Sequence, residues 1–196
     1  QVPEDIIVVL DEAYIEFADG SEAVSALRTS DGHPDAPVDM AQALDTYSNL
    51  AVLRTFSKAH GLAGLRVGYT IAHPAIIHEM RKSIAPFSVG AAGQAAGLVS
   101  LALRDEVAVR AKSVGATRDD LAARLRDLGF DVPPSGGNFV WLSMGEHDAH
   151  AFAEACLARG LAVRDLGRGI RVTVGPQEAM DRLVDLAADY QQEHSA

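Results

Sequence analysis

The run Ile6-Ile7-Val8-Val9-Leu10 narrows what this chain can fold into more than any other feature. Four of its five residues are β-branched and nothing polar interrupts it. Such a run reads as a strand of a parallel sheet covered on both faces, not as a half-exposed strand of alternating polarity. A central strand needs neighbours on both edges. Only Gln1-Val2-Pro3-Glu4-Asp5 stand ahead of it, so the expectation is a chain that starts inside a larger sheet.

Further along, residues 19–39 are rich in Asp, Ser, Gly and Pro and read as a long loop, and residues 40–47 as a short helix. Buried-type strands are expected at 50–55 and 67–72. Pro74 suits a first helical turn and opens a helix to about residue 84. Small residues break the chain at 86–93, and a helical pattern resumes over 94–103. From 105 to 128 the apolar positions Val107, Ala111, Val114, Leu121 and Leu125 fall at helical spacings, until Gly129 stops the run. A turn-rich connector at 132–137 leads to a strand at 138–143, a helix at 149–159, strands at 161–164 and 170–174, and a closing helix at 177–190. This alternation predicts an α/β protein. It divides into a sheet-rich part, residues 1–104, and a smaller α/β unit, residues 105–196.

Composition removes several functions. The 196 residues carry 17 Lys+Arg against 27 Asp+Glu, a net charge of −10, with 48% hydrophobic and 22% charged residues. The proportions are those of a globular protein. A balance this acidic argues against a nucleic-acid or anionic-membrane binder, which needs clustered Lys and Arg. The one cysteine, Cys156, precludes an intrachain disulfide and argues against a thiolate metal site. The seven histidines are scattered, and His60 has no second ligand at a metal spacing, so no metal is expected. No apolar run reaches the roughly 18 residues of a membrane span, and the first residues lack signal-peptide architecture. The expectation is a reduced, cytoplasmic protein.

Of the 17 basic residues only Lys58, Lys82 and Lys112 are lysines. Lys82 and Lys112 read as solvated charges on helices. Lys58 follows a buried-type strand and two hydroxyl residues, Thr55 and Ser57, with glycines beyond it. Ligands of open α/β sheets collect at the carboxyl ends of strands. A lysine there is either an amine nucleophile or an ordinary loop lysine. Arg66, with Thr55 and Ser57, supplies hydroxyl donors and a charged fork suited to a phosphate monoester; alone it reads as a surface arginine. Asp11 closes the first strand, where a carboxylate is costly without a partner, although capping a turn is the simpler role. Tyr14 could bring a phenol to the same ligand. Arg164 and Arg171 sit in short strands. Alternation puts Arg171 on the face opposite Ile170 and Val172, either solvated or binding a carboxylate.

Taken in order, Asp11-Glu12-Ala13-Tyr14, Thr55-Phe56-Ser57-Lys58-Ala59-His60-Gly61-Leu62-Ala63-Gly64-Leu65-Arg66-Val67-Gly68-Tyr69, Gly137-Asn138-Phe139-Val140-Trp141 and Ile170-Arg171-Val172-Thr173-Val174-Gly175 resemble the fold-type I pyridoxal-phosphate aminotransferases. The branch they resemble is the histidinol-phosphate and aromatic amino acid (phenylalanine) aminotransferase family. The resemblance runs along essentially the whole chain. It implies the aspartate aminotransferase-like fold: a partial large domain with a mostly parallel sheet, plus a small C-terminal α/β domain. It implies pyridoxal 5'-phosphate as cofactor. Lys58 then bonds the cofactor and carries the 1,3-proton shift. Asp11 pairs with the pyridine nitrogen, Tyr14 with the phenolic oxygen, and Arg66, Ser57 and Thr55 hold the phosphate. Arg171 takes the α-carboxylate of the amino acid or 2-oxoacid, Arg164 the distal end of the substrate, and Asn138 lines the substrate side.

The resemblance also implies parts that precede residue 1: a glycine-containing phosphate loop, a ring-stacking aromatic, an asparagine, and a tyrosine from the second subunit of a homodimer. The Pro86 to Gly90 segment and the short link between Arg164 and Arg171 look like the aromatic branch. The expected reaction is transamination between an aromatic amino acid and a 2-oxoacid such as 2-oxoglutarate. Histidinol phosphate is the alternative substrate, for which Arg168 offers a further cation. A related decarboxylase and a cofactor-sensing regulator domain stand behind these. The loop at 19–39 has no assigned role.

Overall fold

The protein is described here by a computed structural model covering residues 2–18 and 46–194. The expected loop at 19–39 and nearly all of the expected helix at 40–47 lie outside the described residues. The chain divides into two compact units, residues 1–110 and 111–196.

In the first unit, β1 (Val8–Asp11), β2 (Leu50–Thr55) and β3 (Gly68–Ala72) form a sheet in the order β1-β2-β3. β1 runs parallel to β2, with Val8 opposite Leu50 and Asp11 opposite Leu53. β3 runs antiparallel to β2. Residues 56–67 between them hold one short 3-10 turn, Ala63–Leu65. That leaves no room for the crossover helix a parallel neighbour needs. The buried side chains of β2 are Ala51 and Val52.

The run expected to lie inside a larger sheet carries exposed apolar side chains among the described residues. Ile6 and Ile7 precede β1 and are exposed, and Val9 within it is 58% exposed. Among the described strands β1 pairs with β2 alone.

Three helices follow. α1 (Pro74–Arg81) starts with Pro74 in its first turn, and His73 caps it by accepting from the Ala75 N–H at 3.3 Å. α2 (Ala91–Ala102) begins three residues earlier than expected, because Gly90 already serves as its N-cap. Its Gly93 is needed for close packing: a Cβ there would stand 2.9 Å from Val67 Cγ2. α3 (Arg104–Asp127) is one continuous helix, and the division between the two compact units falls inside it. Gly129, with φ +92°, ends it as its residue type foretold.

The second unit holds β4 (Phe139–Ser143), α4 (Glu146–Ala158), β5 (Arg164–Asp165), β6 (Gly169–Thr173) and α5 (Gln177–His194). Its sheet is antiparallel, ordered β4-β6-β5. Alternation sorts it into two faces. Val140, Leu142, Ile170 and Val172 point inward, against Leu121 and Leu125 of α3, Phe152 and Cys156 of α4, and Leu183 and Leu186 of α5. β5 is shorter and later than the expected strand at 161–164. The reason is local: the Leu161 N–H bonds back to the Cys156 carbonyl at 2.9 Å, closing α4 instead of joining the sheet.

Two outcomes test this core. Leu142 is fully buried, so Leu142→Ala should cost about 2–5 kcal/mol in urea unfolding, whereas Leu157→Ala, on the exposed side of α4, should stay within about 0.5 kcal/mol. Burial pushes the Cys156 thiol up to about 12. It should therefore resist a disulfide reagent at pH 8 in the folded protein and react once urea unfolds it.

Candidate functional site

The parallel pairing of β1 and β2 brings their carboxyl ends to one edge of the sheet. The Glu12 N–H, donating to the Leu53 carbonyl at 3.0 Å, carries the pairing one residue further. There the chain turns: Asp11 Oδ1 accepts from the Ala13 N–H at 3.0 Å, the side chain of an Asx turn. A 3-10 turn, Ile15–Phe17, follows. The turn places the Tyr14 ring beneath the Lys58 ammonium, whose Nζ lies 4.9 Å from the ring centroid.

Lys58 reaches this position from a tight loop after β2. Thr55 Oγ1 accepts from the Ser57 N–H at 3.1 Å. The Gly61 N–H bonds the Lys58 carbonyl at 2.9 Å and the Leu62 N–H bonds the Phe56 carbonyl at 2.8 Å. Gly61, with φ +72°, takes the left-handed conformation that this loop requires. Arg66 takes it too, with φ +56°, and donates from Nη1 to the Ala63 carbonyl at 3.0 Å. A non-glycine residue in this conformation costs about 1–2 kcal/mol, and such strain collects at ligand sites. Asp11, Tyr14, Thr55, Ser57 and Lys58 thus gather at the carboxyl ends of two parallel strands, with Arg66 on the loop beyond.

Arg171, Arg164 and Asn138 belong to the second unit. Arg171 is at the centre of β6, opposite Trp141 on β4 and Arg164 on β5. Its Nε is buried and makes no hydrogen bond. Arg164 is exposed. Like charges directly opposite one another are unfavourable without an anion between them. Asn138 enters β4 half-buried, and its carbonyl accepts from the Val174 N–H at 2.9 Å. Arg168 is exposed in the link between β5 and β6.

Sequence reasoning missed a charged cluster behind this edge. Glu12 is 4% exposed. Arg54 contacts its Oε2 at 2.6 Å from Nη2 and at 2.8 Å from Nε, and reaches Glu16 Oε1 at 3.5 Å. The signal was present: an arginine in an apolar strand requires a partner, and Glu12 adjoins the neighbouring strand's end. His60 was weighed only as a metal ligand. Its Nδ1 lies 2.7 Å from Ser100 Oγ, and its ring packs 4.8 Å from Phe56. Burial holds the imidazole below its ordinary value, with Glu16 pulling upward and Arg110 and Arg54 pushing down. Burial likewise raises Tyr69. Among the described residues no cluster of three His, Cys, Asp or Glu side chains could hold a metal ion. No described helix is long and apolar enough to cross a membrane.

The Arg54 pair generates a test. Arg54→Met takes the guanidinium away from the buried Glu12 carboxylate and should cost about 3–5 kcal/mol in urea unfolding. Adding Glu12→Gln should recover most of that loss.

The model of the family described as aminotransferase class I and II matches residues 2–186. An aromatic amino acid aminotransferase of Streptomyces coelicolor is 42% identical over 98% of this chain and 50% of its own length. One of Nocardia farcinica is 43% identical over 96% of this chain and 49% of its own. The crystal structure of histidinol-phosphate aminotransferase from Sinorhizobium meliloti, in complex with pyridoxal-5'-phosphate, superposes with a TM-score of 0.79 at 28% identity. It covers 98% of this chain and 50% of that one. The chain therefore spans about half the length of the curated relatives it matches.

Proposed function

The chain belongs to the class I and II aminotransferase family, and on that premise we propose that it carries the lysine of a pyridoxal-phosphate-dependent aminotransferase for aromatic amino acids. The amino group passes to a 2-oxoacid such as 2-oxoglutarate. The observation that carries this reading is the Lys58 amine poised over the Tyr14 ring at the carboxyl ends of β1 and β2.

The donor set fits the cofactor group by group. Lys58 offers an amine to an aldehyde, Asp11 a carboxylate to a protonated ring nitrogen, and Tyr14 a phenol to the ring oxygen. Thr55, Ser57 and Arg66 offer hydroxyls and a planar charged fork to a phosphate. Bound there, pyridoxal phosphate supplies an electron-withdrawing ring that takes up the charge left when the substrate's Cα–H bond breaks.

The chain's own side chains do the rest. Lys58 Nζ takes the substrate's α-proton and carries it through the 1,3-proton shift. Asp11 keeps the ring nitrogen protonated. Arg171 receives the substrate carboxylate in a two-pronged contact, Arg164 meets the distal end, and Asn138 lines the substrate side. The aromatic substrate is favoured over histidinol phosphate because the curated relatives at 42% and 43% identity carry that name. The reading includes a homodimer acting in the cytoplasm.

Replacing the lysine tests it. Lys58→Ala should lose the cofactor's visible band and at least about 10²–10⁴-fold in kcat on phenylalanine. A coloured Lys58→Ala protein that turned over at the parent rate would refute the assignment. A higher kcat/KM for histidinol phosphate than for phenylalanine would refute the substrate.

A further inference from the structure

We propose that Phe139 is a positioning residue for Arg171, a ring that holds the guanidinium ready for a carboxylate, and that Gly137 exists to make room for that ring. The inference rests on the carboxylate role given to Arg171 above and adds what orients it.

Four observations converge. Arg171 stands opposite Trp141, and Phe139 opposite Thr173. Phe139 is therefore a diagonal neighbour of Arg171 on the outer face of the sheet, within reach of a long side chain. The Arg171 guanidinium carbon lies 5.5 Å from the centroid of the Phe139 ring, inside the roughly 6 Å range of a cation–π contact. Arg171 Nε is buried with no hydrogen-bond acceptor. A charged N–H left open in this way is costly until an acceptor arrives. A carboxylate is the acceptor that matches the arginine fork.

Gly137 is fitted to the ring. A Cβ at that position would stand 2.6 Å from Phe139 Cε1. The backbone there cannot easily yield, since the Gly137 carbonyl accepts from Nη1 of the buried Arg118 at 3.0 Å and its N–H donates to Ser135 Oγ at 3.2 Å. Phe139 is not part of the buried core, which Val140 and Leu142 enter from the other face of β4. Its half-buried ring meets Arg171 on the outer face. A guanidinium already held in one orientation loses less freedom when the carboxylate binds.

The test uses the holoenzyme and the unreactive carboxylate 3-phenylpropionate, with its Kd read by calorimetry beside KM, kcat and the visible band. Phe139→Leu should raise the Kd and the KM for both substrates by ~10-fold, with kcat and the visible band within about twofold of the parent. Phe139→Tyr, which keeps the ring, should bind as the parent does, and Gly137→Ala should weaken binding as Phe139→Leu does. Parent-like carboxylate binding by Phe139→Leu, with only a lowered Tm, would overturn the inference. So would an equal loss in Phe139→Tyr. Arg171→Leu separates the two levels: if it binds 3-phenylpropionate as tightly as the parent, the carboxylate role of Arg171 itself fails. If only Phe139→Leu is normal, the role stands and the positioning fails.

Discussion

The parallel register of β1 with β2 is the constraint on which the rest of the first unit depends. It sets Asp11 opposite Leu53 and extends to the Glu12 N–H. The Asx turn at Asp11 and the loop after Thr55 then leave the sheet at the same edge. Parallel pairing has no hairpin to fix it, so the register relies on side chains. The apolar pattern of β2 supplies one part. The Glu12–Arg54 contact, which joins the two strand ends at 2.6 Å, supplies another. A slip of one residue would separate that pair and move Tyr14 away from Lys58.

Behind this edge a second set of contacts supports the strand ends and the lysine loop. Glu12 and Glu16 share Arg54, and His60 ties the lysine loop to α2 through Ser100. The loop's own hydrogen bonds close on the Lys58 carbonyl. The second unit repeats the logic with different means: an antiparallel sheet presents Arg171 outward, and an aromatic ring on the next strand supports it. Both arrangements place a charged group where packing, rather than solvent, sets its direction.

Much of the fold was legible because its signals are local. The strand at Leu50–Thr55 followed from the apolar run Leu50-Ala51-Val52-Leu53, the start of α1 from Pro74, and the end of α3 from Gly129. β1 was harder. The run from Ile6 to Leu10 signals burial on both faces, but burial depends on what pairs and packs alongside, and β2 is its one partner among the described strands. β5 was misplaced because Leu161 bonds back to α4, a choice no hydropathy pattern encodes. At the site, residue types and spacing suggested Lys58, but its approach to Tyr14 depends on an Asx turn and a 3-10 turn from a distant segment. The Arg54 cluster and the Phe139 contact arise from cross-strand register, which single residues do not announce.

The central claim is that Lys58, among three lysines, is the one that holds the cofactor. Borohydride reduction of the protein loaded with pyridoxal phosphate, followed by peptide mass spectrometry, addresses it directly. The account predicts a pyridoxyl group on the peptide containing Lys58 and none on those containing Lys82 or Lys112. A label on either of the other two, or an unlabelled Lys58 in a coloured protein, would contradict it.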